Sequence, residues 1–129
     1  MLFGNRKKKI LVADDNEDFL RVMEAILEHA GYTIDTADDG EEALKAIKKR
    51  EYDLLVLDTA MPRIDGIRLC QLTRKSKRYA SIRVLLVHNS NDAESMTEQE
   101  MKQLEQADGL IHKPIKTKAF LEKVREIIG

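Results

Sequence analysis

Leu54-Leu55-Val56-Leu57-Asp58 is an unbroken apolar run halted by a carboxylate. A strand with one wet face alternates apolar and polar residues. A short unbroken run instead marks a strand covered on both faces, as in a parallel sheet sandwiched between helices. The loop that follows, Met61-Pro62-Arg63-Ile64-Asp65-Gly66, leads into a helical stretch from Ile67 to Arg74. The same alternation extends in both directions. Upstream, Ile10-Leu11-Val12-Ala13 stops at Asp14-Asp15. Phe19, Val22, Met23, Ile26, Leu27 and Ala30 then recur at steps of three and four, the period of a helix with one buried face, and Gly31 ends it. Tyr32 to Ala37 is β-prone and alternating. After Asp38-Asp39-Gly40 comes a helix from Glu41 to Arg50, with glutamates in its first turn and lysines in its last, as the helix dipole favours.

Downstream, Ile82 to Val87 is apolar apart from Arg83 and stops at His88-Asn89-Ser90. A weaker helix is expected around Met101 and Leu104, and Leu110-Ile111 is a brief fifth run ending in His112-Lys113-Pro114. Phe120, Leu121, Val124, Ile127 and Ile128 close the chain as an amphipathic helix. Strand and helix thus alternate five times, which predicts an α/β fold: one doubly wound, five-stranded parallel sheet with helices on both faces. Residues 1–8 are expected to form a frayed leader and 9–129 a single domain.

Composition narrows the function. With 22 Lys and Arg against 23 Asp and Glu, the chain lacks the basic excess of a general nucleic-acid binder. A single cysteine, Cys70, excludes an internal disulfide and suits a reducing compartment. No apolar run approaches the roughly 18 residues of a membrane span, and Met1 to Arg6 lacks the apolar centre of a secretion signal, so a cytoplasmic location is expected.

In open α/β sheets, sites form beyond the carboxyl ends of the strands. Those ends carry Asp14 and Asp15, then Asp58, then His88, Asn89 and Ser90, then Lys113. Carboxylates crowded together share protons or bind a cation. Hard oxygen ligands with room for water suit Mg²⁺. A divalent ion would leave Asp58 able to accept a phosphoryl group, with Lys113 paired to another phosphoryl oxygen. The competing view is that such acids merely cap helices, a role open to Asp15 or Asn16.

With these residues in place, the sequence resembles the receiver domain of bacterial two-component response regulators. The likeness rests on Asp14-Asp15, on Asp58-Thr59-Ala60-Met61-Pro62-Arg63-Ile64-Asp65-Gly66 and on Lys113-Pro114, and covers residues 8 to 128. It implies a flavodoxin-like strand order 2-1-3-4-5. It makes Asp58 the phosphoacceptor, fed from a phosphohistidine on a sensor kinase or phosphotransfer protein. Mg²⁺ would be held by Asp15, Asp58 and the backbone carbonyl of Ala60, with Asp14 acting through water, and Lys113 would contact the phosphoryl group. The Lys113-Pro114 bond is expected to be cis. Met61, Pro62, Asp65 and Gly66 would shape the loop beside Asp58. The domain would be a stoichiometric acceptor with slow self-dephosphorylation rather than a turnover enzyme. Its downstream target would be a protein, without direct contact to nucleic acid or membrane.

The sequence departs from that family in its switch. A Thr or Ser is usual where His88 stands, a small residue where Asn89 stands, and an aromatic where Leu110 stands. An imidazole can donate to a phosphoryl oxygen. Alternatively His88 points outward, or fills the pocket and blocks the switch. These substitutions raise a second reading, a pseudo-receiver that works as an interaction module without phosphorylation. The segment from His88 to Lys113 is also longer than usual, with the excess near Asn91 to Thr97. A flavin carrier or hydrolase on the same topology is disfavoured, because Asp14-Asp15 replaces the Gly- or Ser-rich phosphate loop such a protein wants. Finally, Asp92, Glu94, Glu98, Glu100, Glu105 and Asp108 oppose only Lys102, whereas Lys113, Lys116, Lys118, Lys123 and Arg125 dominate the chain's end. An acidic fourth helix beside a basic fifth could pair across a two-fold homodimer.

Overall fold

A computed structural model describes residues 6–89 and 97–129, the side chain of Glu100 excepted. The apolar runs become five strands: β1 (Lys9–Ala13), β2 (Thr33–Ala37), β3 (Leu54–Asp58), β4 (Arg83–Asn89) and β5 (Gly109–Lys113). Between and after them lie α1 (Glu17–His29), α2 (Gly40–Lys49), α3 (Gly66–Lys75), α4 (Glu98–Leu104) and α5 (Thr117–Ile128). Every strand pair is parallel, and the order across the sheet is β2-β1-β3-β4-β5.

Strand alternation sends successive side chains to opposite faces. Leu11, Leu55, Leu57, Val84 and Leu86 pack with Ala43 and Ile47 of α2, Leu69 and Cys70 of α3, and Leu104 of α4. Ile10, Val12, Leu54, Val56, Leu85 and Val87 pack with Leu20, Met23 and Leu27 of α1 and with Phe120 and Val124 of α5. Burying such a side chain is worth about 1.5–3 kcal/mol, so the two half-cores together hold the sheet between its helices.

Local chemistry sets the helix ends. The side chains of Asn16, Asp39 and Asp65 each accept from the backbone N–H three residues on, capping α1, α2 and α3. Gly31 has φ +103°, the left-handed conformation that closes α1. Gly40 and Gly66 answer to close approach: a Cβ on Gly40 would overlap the carbonyl of Ile64, and one on Gly66 the carbonyl of Asp58.

The strand ends differ from the sequence reading in one consequential place. β4 runs on through His88 and Asn89, which pair with His112 and Lys113 of β5. Both polar residues therefore belong to the sheet, since β5 supplies a partner that the apolar pattern alone does not reveal. Residues 6–8 lead into β1, where the Lys8 carbonyl accepts from Thr33 and Arg6 pairs with Asp53 at 3.3 Å. Residues 1–5 of the expected leader lie outside the described residues, as does most of the segment from Asn91 to Thr97.

Candidate functional site

Parallel strands bring their carboxyl ends to one rim. Asp14 and Asp15 directly follow β1, while Asp58 and Lys113 are the last residues of β3 and β5. The Lys113 Nζ donates to Asp14 Oδ2 at 2.8 Å and to Asp58 Oδ2 at 3.2 Å. One carboxylate oxygen each from Asp14, Asp15 and Asp58 lies within 4.8 Å of the others, the sole such acidic group among the described residues. Asp14 is wholly buried and Asp58 nearly so, while Asp15 is exposed. Backbone amides hold the remaining oxygens: Asn16 donates to Asp14 Oδ1 and Ala60 to Asp58 Oδ1. The Lys113 ammonium also sits 4.3 Å from the ring centre of Phe19 on α1, which steadies its charge against an aromatic face.

The electrostatics are unbalanced: three carboxylates face one ammonium. Burial pushes the Asp14 carboxyl above its usual range, against the opposing pull of Lys113 and the Asn16 amide, and the charge of Asp58 adds to the rise. At Lys113 burial pulls the ammonium down, but its bond to Asp14 and the charges of Asp14 and Asp58 outweigh it and raise its pKa. The donor set is all hard oxygen, carries surplus negative charge and opens to solvent at Asp15. It therefore fits a hydrated Mg²⁺. A cavity of about 720 Å³ between α1 and α2 contains none of these residues, and the exposed Asp15 leaves the acidic cluster open to solvent at the rim.

The loop after Asp58 is pinned on several sides. Met61 is buried in the half-core beneath α2 and α3. Arg63, at φ +70°, reaches Glu41 at 3.0 Å and Asp39 at 3.8 Å. Asp65 caps α3, and Gly66 lets that helix start against the Asp58 backbone. The Lys113–Pro114 bond is cis, as expected.

His88 does not point outward. It is buried, and its Nδ1 lies 2.7 Å from the Thr59 hydroxyl. Its Nε2 is buried with no hydrogen-bond partner among the described residues, and its ring meets that of His112 edge-on, with centroids 5.9 Å apart. Leu110 packs half-buried against the half-core that contains Leu86 and Leu104. Thr59 is a residue that sequence reasoning passed over. Once β3 and β4 are aligned with Asp58 opposite Val87, the next residues, Thr59 and His88, fall opposite each other. That register was the available signal.

The proposed charge faces are thinner than the sequence implied. Asp92 and Glu94 lie outside the described residues, as does the side chain of Glu100. Asp108 is taken up by Arg74 at 2.8 Å, Arg83 at 3.2 Å and the Val84 amide. Lys113 belongs to the acidic rim.

This fold and rim place the chain among known proteins. The family model of the response regulator receiver domain matches residues 10–125, and the chain belongs to that family. It is similar to the alkaline phosphatase synthesis transcriptional regulatory protein PhoP of Bacillus subtilis, with 47% identity over 70 residues, 54% of this chain and 29% of that one. The probable transcriptional regulator ycf27 of Porphyridium aerugineum is 36% identical over 123 residues, 95% of this chain and 49% of its own length. The chain thus spans about half, or less, of the curated relatives it matches. Among solved structures, the response regulator TrrA of Thermotoga maritima in complex with Mg²⁺ and BeF superposes with a TM-score of 0.79 at 32% identity, covering 93% of this chain and 98% of that one. The chemotaxis response regulator CheY4 of Vibrio cholerae gives 0.83 at 27% identity, covering 95% and 99%. No helix among the described residues is long and apolar enough to cross a membrane.

Proposed function

We propose that residues 9–129 form a single receiver domain that takes a phosphoryl group from a phosphohistidine onto Asp58. An Asp58 carboxylate oxygen forms the new bond to phosphorus as the bond from phosphorus to the donor imidazole nitrogen breaks. Asp15, Asp58 and the Ala60 carbonyl would hold Mg²⁺, with Asp14 acting through water. When bound, the ion neutralises phosphoryl oxygens and lets two anions approach. Lys113 keeps its positive charge at the rim and turns from the Asp58 carboxylate to a phosphoryl oxygen. The observation that carries this reading is the Lys113 ammonium bridging Asp14 and Asp58 inside a cluster of three carboxylates. The domain acts once per phosphoryl group rather than as a turnover enzyme, with slow hydrolysis resetting it. A sensor kinase or phosphotransfer protein supplies the group, and a protein target reads the result, in a cytoplasmic setting that suits the single buried Cys70.

A second reading, an interaction module that works without phosphorylation, is favoured by one observation: His88 is tied to Thr59 and Leu110 is packed into the core, so the family's usual hydroxyl and aromatic are both replaced. Titration with beryllofluoride and Mg²⁺, followed by amide NMR, separates the two. Phosphoryl acceptance predicts shifts that start at Asp58 and Lys113, require Mg²⁺ and vanish in Asp58→Asn. An unchanged spectrum would support the interaction module instead.

A further inference from the structure

Thr59 is bracketed by two of the proposed magnesium ligands, the Asp58 carboxylate and the Ala60 carbonyl. By strand alternation its side chain leaves the sheet on the opposite face from Asp58, the face of Leu57 and Leu86. There the hydroxyl meets His88 Nδ1 at 2.7 Å, with both residues buried. The backbone is clamped at the same point, because the Thr59 amide donates to the Val87 carbonyl at 2.9 Å. Thr59 is therefore tied to β4 by main chain and side chain together, immediately before the chain turns into the loop that carries Ala60.

The imidazole is held at a cost. If the Thr59 hydroxyl donates to Nδ1, then Nε2 carries a buried proton with no acceptor. If Nδ1 donates to the hydroxyl, Nε2 is a buried acceptor with no donor. A Thr or Ser at position 88 would carry no such orphan, and a histidine that served only to fill space could be replaced by an apolar residue without loss. Among the described residues, the imidazole of His88 has one hydrogen-bonding contact, the one to Thr59.

Resting on the phosphoacceptor reading above, we propose that His88 is a positioning residue for the magnesium site. Acting through Thr59, it fixes the backbone between Asp58 and Ala60 so that carboxylate and carbonyl face one ion. The role runs through the sheet from its far face and needs no contact between the imidazole and the phosphoryl group.

Calorimetric titration of Mg²⁺ into the full chain tests this with two matched pairs. Thr59→Val removes the hydroxyl and Thr59→Ser keeps it. His88→Ala removes the ring and His88→Asn keeps a polar atom close to the place of Nδ1. Loss of a group that orients a metal ligand typically weakens binding about tenfold, and that loss is expected for Thr59→Val and His88→Ala. Thr59→Ser and His88→Asn should stay within about twofold of the parent, a rescue that mere stability does not produce. Amide spectra report whether each variant is folded, and the Thr59 pair carries the test if His88→Ala is not. Affinity unchanged in Thr59→Val, or lost equally in Thr59→Ser, overturns the proposal. Failure of the unsubstituted chain to bind Mg²⁺ overturns it together with the phosphoacceptor reading, and is told apart by occurring before any substitution.

Discussion

Asp14 shows how one residue sets a cost in the fold against a proposed part in the magnesium site. Its carboxyl is wholly buried beside Asp58, and burial lifts its pKa above the ordinary value of 3.8. A group raised in this way stabilises the fold fully below its unfolded pKa, and loses that contribution as pH climbs through its folded pKa. Ionising Asp14 therefore destabilises the metal-free fold. Asp14→Asn should melt higher than the parent in metal-free buffer, by about 4 °C for each 1 kcal/mol recovered in a chain of this size. The gap should widen as pH rises from about 4 to about 7, and Mg²⁺ should raise the variant's melting temperature less than the parent's. Melting curves across that range check the sign. Gly66 makes a second case at this scale. Its missing Cβ admits the start of α3 to the Asp58 carbonyl, so Gly66→Ala should lose about 1–3 kcal/mol in denaturant unfolding and displace Asp58. Asp14, Asp58, Lys113 and Gly66 were all legible in the sequence, because strand ends and turn residues announce themselves locally. Thr59 was not: its importance comes from a partner 29 positions away, which only the register of two strands supplies.

At the scale of elements, the helices and strands follow from periodicity and caps, and their limits follow from neighbours. β4 gains His88 and Asn89 because β5 pairs with them. The start of β5 is organised by another long-range arrangement that no local pattern shows. Arg74, on α3, donates to the carbonyls of Ala80, Ile82 and Gln106 and to the Asp108 carboxylate, which in turn accepts from the Val84 amide. One guanidinium thus ties α3 to the strands on either side of α4. Its planar fork is what allows several bonds at once, so Arg74→Lys should not substitute for it. Arg74→Ala is expected to cost about 2–3 kcal/mol, as measured by urea unfolding, with slower loss at the rim than at the β4–β5 edge in hydrogen exchange. In the sequence Asp108 groups with the acids of the fourth helix, because composition counts charges without showing which are already paired.

For the whole molecule, parallel order is the property that matters. Five strands in the order β2-β1-β3-β4-β5 put the ends of β1, β3 and β5 on one rim, and residues 99 positions apart come within hydrogen-bonding distance. The alternation of apolar runs and helical periods conveyed the parallel sheet and its shared rim, since right-handed crossovers leave little freedom, while the order of the strands came from the resemblance to the receiver family. Assembly was less legible. With Asp108 and Lys113 each engaged inside the domain, the charge contrast between α4 and α5 is weaker than the sequence suggested. A homodimer through those helices would raise the light-scattering mass with concentration and lose it in high salt, and a mass constant at the monomer value would exclude it.

Phosphoryl transfer to one carboxylate, Asp58, is the central event proposed for this domain. Intact-protein mass after incubation with acetyl phosphate and Mg²⁺ should increase by a single phosphoryl group, with no increase when Mg²⁺ is chelated or when Asp58 is replaced by Asn. An unchanged mass in the presence of Mg²⁺, or a gain that survives Asp58→Asn, would contradict it.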